Sequence, residues 1–150
     1  MGKARAETVI ARPADVIWER VCDFGDLSWY PGVESCTLSG DDRIVRRIGM
    51  KLDIVERQLD HDHEGRTYGY RLTDLNGESQ LRRGDGEVID VAELVGHVRA
   101  TLTVIPADEA TSRVTYDVEA PDQFLDGIRH GYQEAVDHLK GLLEHDGEGS

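Results

Sequence analysis

Two strand-like segments of this chain carry tyrosines at alternating positions. In "TYGYRL" the residues Tyr68, Tyr70 and Leu72 share one face, and in "RVTYDVEA" the matching set is Val114, Tyr116 and Val118. In "HVRATLTV" the apolar set is Val98, Ala100, Leu102 and Val104, which leaves His97, Arg99, Thr101 and Thr103 for solvent. A helical run near the end adds Phe124, Ile128 and Tyr132 at steps of four. The chemistry on offer is an apolar interior dotted with phenol hydroxyls, which suits ring-shaped, partly oxygenated ligands. Other constellations offer less. His61-Asp62-His63 has the residue types of a metal site, but adjacent positions in a turn diverge, so no metal is expected. His130 and His138 fall on the polar side of the helix. There is no Ser-His-Asp order, phosphate loop or dinucleotide fingerprint, and no cofactor is expected.

The elements that must position these side chains can be read along the chain. "ETVIA" (7–11) is a strand signal, and Pro13 then opens a short helix with Val16, Ile17, Trp18, Arg20 and Val21 as its stripe. Asp23 or Asp26 caps a second short helix that stops at Pro31-Gly32. Strands are expected near 34–39, 43–49, 51–60, 66–74, 95–106 and 112–120, separated by turn signals. Pro121-Asp122 opens one long amphipathic helix to about 143, a rod of roughly 30 Å. Gly127 and Gly131 within it weaken the helix and would let a backbone or ligand come close. The expected class is α+β: a seven-stranded curved antiparallel sheet that buries one face under the long helix and leaves a hollow between them.

The whole of 1–150 is read as a single domain with its core at about 6–143 and a frayed tail at 144–150. With 39% hydrophobic and 31% charged residues the chain is polar but outside the disordered range. A net charge of −13 disfavours nucleic acid and anionic membrane surfaces as partners. No apolar run is long enough to span a bilayer, and the start lacks the apolar centre of a signal peptide. Cys22 and Cys36 make neither a zinc spacing nor a disulfide framework, so reduced thiols and a cytoplasmic location are expected. The oligomeric state is left open.

The stretches "ARPADVIWERVCDFGDLSWYPGVES", "RIVRRIGMKLDIVERQLDHD", "RTYGYRL", "HVRATLTVIP" and "SRVTYDVEAP", in this order, resemble the polyketide cyclase/dehydrase and lipid-transport superfamily, with its START-like or helix-grip fold. The resemblance implies that Trp18 packs the short helix on the sheet and that Trp29 stands at the corner near one end of the cavity, with Tyr30 exposed. It also implies that Glu34, Arg46, Ile48, Glu56 and Gln58 point inward. On that reading Arg46 and Glu56 meet as the polar end of the pocket, and a carboxylate raised in pKa by the apolar wall, Glu56, could act as general acid or base. The implied partner is a small hydrophobic molecule (lipid, isoprenoid or polyketide-like), and the implied alternative is a cyclase/dehydratase-type enzyme. The chain departs from the family between Asp74 and Gly96, where "LNGESQLRRGDGEVIDVAELV" either extends a hairpin or forms a lid. Arg83-Gly84-Asp85 inside it is read as a turn, not an adhesion motif.

Overall fold

The computed structural model describes residues 1–50, 52–77, 80–82, 86 and 88–148, with the backbone alone at 80–82 and 146–148. The chain runs β1 (Gly2–Ile10), α1 (Ala14–Val21), β2 (Val33–Ser39), β3 (Asp42–Arg47), β4 (Asp53–Asp62), β5 (Thr67–Asn76), β6 (Gln80–Arg82), β7 (Val88–Asp90), β8 (Arg99–Pro106), β9 (Ser112–Ala120) and α2 (Asp122–Glu148). Seven strands form one antiparallel sheet in the order β1-β9-β8-β5-β4-β3-β2, and β6 and β7 pair separately. This is the expected sheet under a C-terminal helix.

Strand alternation builds the inner face. Ala6 and Ile10 of β1, Tyr68, Tyr70 and Leu72 of β5, Ala100, Leu102 and Val104 of β8, and Val114, Tyr116 and Val118 of β9 are all buried. Against them α2 presents Tyr132, Ala135, Val136, Leu139 and Leu143, the apolar stripe of its three- and four-residue steps. A Cβ added at Gly127 or Gly131 would meet nothing within 4 Å, so no close backbone approach depends on either glycine. The helix also seals one edge of the sheet. Gln133 Nε2 donates to the Glu7 carbonyl (2.8 Å) while its Oε1 accepts from the Glu7 amide (3.2 Å), and Lys140 Nζ donates to the Val9 carbonyl (2.7 Å). Glu144 accepts from the Ala11 amide (3.0 Å) and Lys140 (2.7 Å), which anchors the turn beyond Leu143 and carries the helix past its expected end. The backbone groups that an edge strand leaves free are thus covered by side chains.

The second short helix does not form. Asp23 Oδ1 accepts from the Gly25 amide and Asp26 Oδ1 from the Ser28 amide, each at 2.9 Å, so the two expected caps instead close successive turns on residues two ahead. In α1, Ala14, Ile17, Trp18 and Val21 are buried, whereas Val16 is exposed. Strand β8 begins at Arg99 because 94–97 turn, with Gly96 at φ +80°. The 75–95 stretch contains the β6–β7 hairpin, with Leu81 opposite Ile89, and Arg83-Gly84-Asp85 lies outside the described residues. Among the described residues no helix is long and apolar enough to cross a membrane.

Candidate functional site

The hairpin of β3 and β4 sets the polar end of the interior. Arg43 and Val45 face inward on β3, and Arg43 stands directly opposite Glu56. Its Nε donates to Glu56 Oε1 at 2.8 Å and its Nη1 to the Phe24 carbonyl at 3.1 Å. The guanidinium lies over the Phe24 ring (4.2 Å) and the Tyr70 ring (4.5 Å), and its side chain is only 2% exposed. Burial works against the Arg43 charge, but Glu56 and the surrounding phenol oxygens more than offset it and hold the guanidinium protonated.

All five tyrosines of the chain gather around this pair. The Tyr70 and Tyr132 hydroxyls share a 2.7 Å hydrogen bond that ties β5 to α2. The Tyr132 ring lies 4.3 Å from that of Tyr116 and meets Tyr30 edge-on at 6.4 Å. Tyr68 lies 6.3 Å from Tyr70, and Arg47 covers Tyr30 at 5.5 Å while donating to the Pro31 carbonyl. Burial pushes the phenols of Tyr68, Tyr70, Tyr116 and Tyr132 above their ordinary value, and pushes Tyr30 up to about 12 although Arg47 pulls the other way. Within the described residues, no protein atom satisfies the hydroxyls of Tyr68 and Tyr116, Trp29 Nε1 or Gln58 Nε2. A hollow of about 100 Å³ opens here, bounded by Tyr30, Arg43, Arg47, Glu56, Tyr70 and Tyr132, with Leu27, Val33, Val45 and Ile54 as its apolar wall.

The structure brings together some of the residues that the sequence singles out and disperses others. Trp29, Tyr68, Tyr70, Val98, Tyr116, Phe124 and Tyr132 are buried, Ile128 packs half-buried on the core, and Glu56 points inward. Arg46 does not meet Glu56. It sits one residue out of phase with Arg43, half exposed, and pairs with Asp53 at 2.8 Å on the outer face. Glu34 is exposed at a bulge where the β2 register shifts between Val33 and Ser35, and Ile48 is 70% exposed beyond the end of β3. The physical reason is the period of two: a one-residue error of phase sends every side chain of a strand to the opposite face. Tyr30, expected outside, is drawn in by Trp29 and Arg47. His63 Nδ1 accepts from Trp18 Nε1 (2.8 Å) and His61 Nε2 lies 3.2 Å from the Cys22 carbonyl, and the described residues contain no group of three metal-ligating side chains.

The Tyr70–Tyr132 bond carries a direct expectation. Tyr70→Phe and Tyr132→Phe should each cost about 1–2 kcal/mol, because either change strands a buried hydroxyl, while the double variant costs clearly less than the sum. A urea double-mutant cycle measures this, and simple additivity would show that the two hydroxyls do not support each other.

Comparison with known proteins adds the lineage. A search of curated protein sequences finds no match. The fold is shared with solved structures of low identity: the protein XoxI from Bacillus cereus (TM-score 0.75, 16% identity, 95% of each chain covered) and a START superfamily protein from Mycobacterium smegmatis (0.66, 12%, 95% of this chain and 97% of that one). A norcoclaurine synthase point mutant from Thalictrum flavum, in complex with a transition-state analogue, is similar at TM-score 0.62 and 18% identity, over 97% of this chain and 96% of its own. The model of the family described as polyketide cyclase/dehydrase and lipid transport matches residues 1–144, and the chain therefore belongs to that family.

Proposed function

We propose that the protein binds a small, largely apolar molecule bearing oxygen functions, a lipid, isoprenoid or polyketide-like compound, between α2 and the sheet, with Arg43 and Glu56 at the polar end. The observation that carries this reading is the convergence of Tyr30, Tyr70, Tyr132, Arg43 and Glu56 on one hollow beneath a helix. A volume near 100 Å³ holds only about three waters at roughly 30 Å³ each, so entry of a ligand requires one wall to yield. The wall with least regular structure is the 22–32 connection that contributes Leu27 and Tyr30, and segments of that kind open at the lowest cost. A second reading is catalysis of the cyclase/dehydratase type with Glu56 as acid or base. It is favoured by the placement of the Glu56 carboxylate at the hollow, with one oxygen on Arg43.

Native mass spectrometry of the freshly purified protein tests the first reading, with a co-purifying apolar ligand as the expected result. Titration with fatty acids, isoprenoids and aromatic polyketide analogues should then give saturable binding without turnover. No ligand by either route would overturn it. Turnover that Glu56→Gln abolishes while affinity persists would establish the enzyme instead.

A further inference from the structure

The end of β4 and the turn into β5 carry His61-Asp62-His63, and the fold sets the two imidazoles against α1 with opposite proton demands. Trp18 Nε1, a group that only donates, bonds to His63 Nδ1 at 2.8 Å, so Nδ1 must be bare. His61 Nε2 lies 3.2 Å from the Cys22 carbonyl, which only accepts, so that nitrogen carries its proton. Both rings flank the indole, His61 at 5.6 Å and His63 at 5.9 Å. Trp18 is 2% exposed, whereas both histidines are exposed and within reach of solvent protons.

A second ring proton therefore acts differently on the two. On His61 it leaves the Cys22 contact in place, and a positive charge beside the C-terminal end of α1 is favourable. On His63 it removes the acceptor: an imidazolium donates from both nitrogens, so no flip of the ring restores the bond to Trp18. The buried indole N–H then lacks a partner until α1 shifts and admits water. Histidine is the side chain whose ordinary charge change falls between about pH 5 and 8. The charged groups around the turn are Asp15, Glu19 and Asp23 along α1 and its end, and Asp60, Asp62, Glu64 and Arg66 on the hairpin. Arg66 is bound to Asp15 at 2.7 Å, and carboxylates and guanidinium groups ordinarily keep their charge across that range. Burial pushes the Cys22 thiol and the Tyr68 phenol up, so both stay uncharged. β8, which packs on α1, brings no ionisable side chain between Ala100 and Pro106.

The helix leads straight into the 22–32 connection. Cys22 ends α1, the Phe24 carbonyl accepts from Arg43, and Leu27 and Tyr30 wall the hollow. We infer that His63 is a proton-operated latch on this wall: neutral, it holds Trp18 and keeps the wall closed; protonated, it frees α1 and lets the wall open. The consequence for ligand entry rests on the reading of the hollow as a binding site, whereas the latching of α1 does not. Acid thus admits or releases an apolar ligand with no change of charge on Arg43 or the tyrosines.

The test is amide hydrogen exchange of the full chain at about pH 7.5 and about pH 5.5, on either side of the ordinary histidine range, with each rate expressed as protection relative to an unstructured chain at the same pH. Protection of 16–27 should fall at least about fivefold at the lower pH, the effect of losing one buried hydrogen bond, while that of 114–118 in β9 holds constant. His63→Ala should show the lower protection at both pH values, and His61→Gln should keep the wild-type response. Trp18→Phe, which removes the donor and keeps an aromatic ring, should abolish the response. Entry of 1-aminoanthracene, uncharged at both pH values, should quicken by a similar factor in the wild type and not in Trp18→Phe. Equal protection at both pH values in the wild type, or an undiminished response in Trp18→Phe and His63→Ala, would overturn the latch. Loosening by acid without faster entry would separate the latch from the hollow, and failure of the probe to bind at either pH would count against the binding site alone, with exchange still deciding the latch.

Discussion

Replacing Glu56 by Ala should cost about 3–5 kcal/mol of folding stability, the loss expected when one partner of a buried ion pair is removed and the other charge is left uncompensated. The guanidinium left behind is that of Arg43, almost fully enclosed by Phe24 and Tyr70 and already donating to the Phe24 carbonyl, which carries no compensating charge. Asp53→Ala provides the contrast. Its partner Arg46 is half in solvent, so the change should cost less than about 1 kcal/mol. The combined replacement Arg43→Met with Glu56→Leu should recover most of the loss, since apolar groups of similar volume remove both desolvation penalties. Urea unfolding of the three variants measures these differences, and an effect of Glu56→Ala no larger than that of Asp53→Ala would remove the pair from the core's energetics. If the apolar double variant is stable yet no longer binds the ligands of the wild type, the pair is retained for recognition.

Alkaline pH should unfold this protein cooperatively between about pH 10 and 12. The phenols of Tyr68, Tyr70, Tyr116 and Tyr132 have folded-state pKa values raised above the ordinary 10, mainly by burial, and Tyr30 is raised to about 12. The sign follows from proton binding: above pH 10 the unfolded chain loses phenolic protons that the native state keeps, so stability falls as pH rises. The effect is absent below the unfolded value and ends only where the folded groups themselves ionise. Tyr30, raised to about 12, contributes about 1.4 kcal/mol of destabilisation by pH 11, and the other buried phenols add to it in the same direction. Absorbance of tyrosinate near the ultraviolet edge should therefore rise in one step that coincides with loss of circular dichroism. A gradual rise at pH 10 with the fold intact would place the hydroxyls in water.

Wherever the apolar pattern was unambiguous, local sequence was enough. β5 and β9 have one possible inner set each, so Tyr68, Tyr70 and Tyr116 could be placed by alternation alone, and α2 shows its stripe over five turns. β3 has no such clarity: in "DRIVRR" an isoleucine and a valine fall on opposite faces, each accompanied by arginines. The one local signal for its phase is the hairpin itself. Centring the turn on Gly49-Met50 puts Arg43 opposite Glu56 and Arg46 opposite Asp53, as observed.

By itself the sequence determined the strand and helix order, the antiparallel sheet, the helix that covers it and the tyrosine faces, because each depends on periodicities of two or 3.6 residues within a single segment. Tertiary structure alone decided that Trp29 and Arg47 draw Tyr30 inward and that Arg57, Arg71 and Arg99 stand in one row. The row depends on register between strands far apart in the chain, where a shift of two residues keeps every side chain on its face yet changes each cross-strand partner, and the burial of Tyr30 depends on side chains that only the fold brings together.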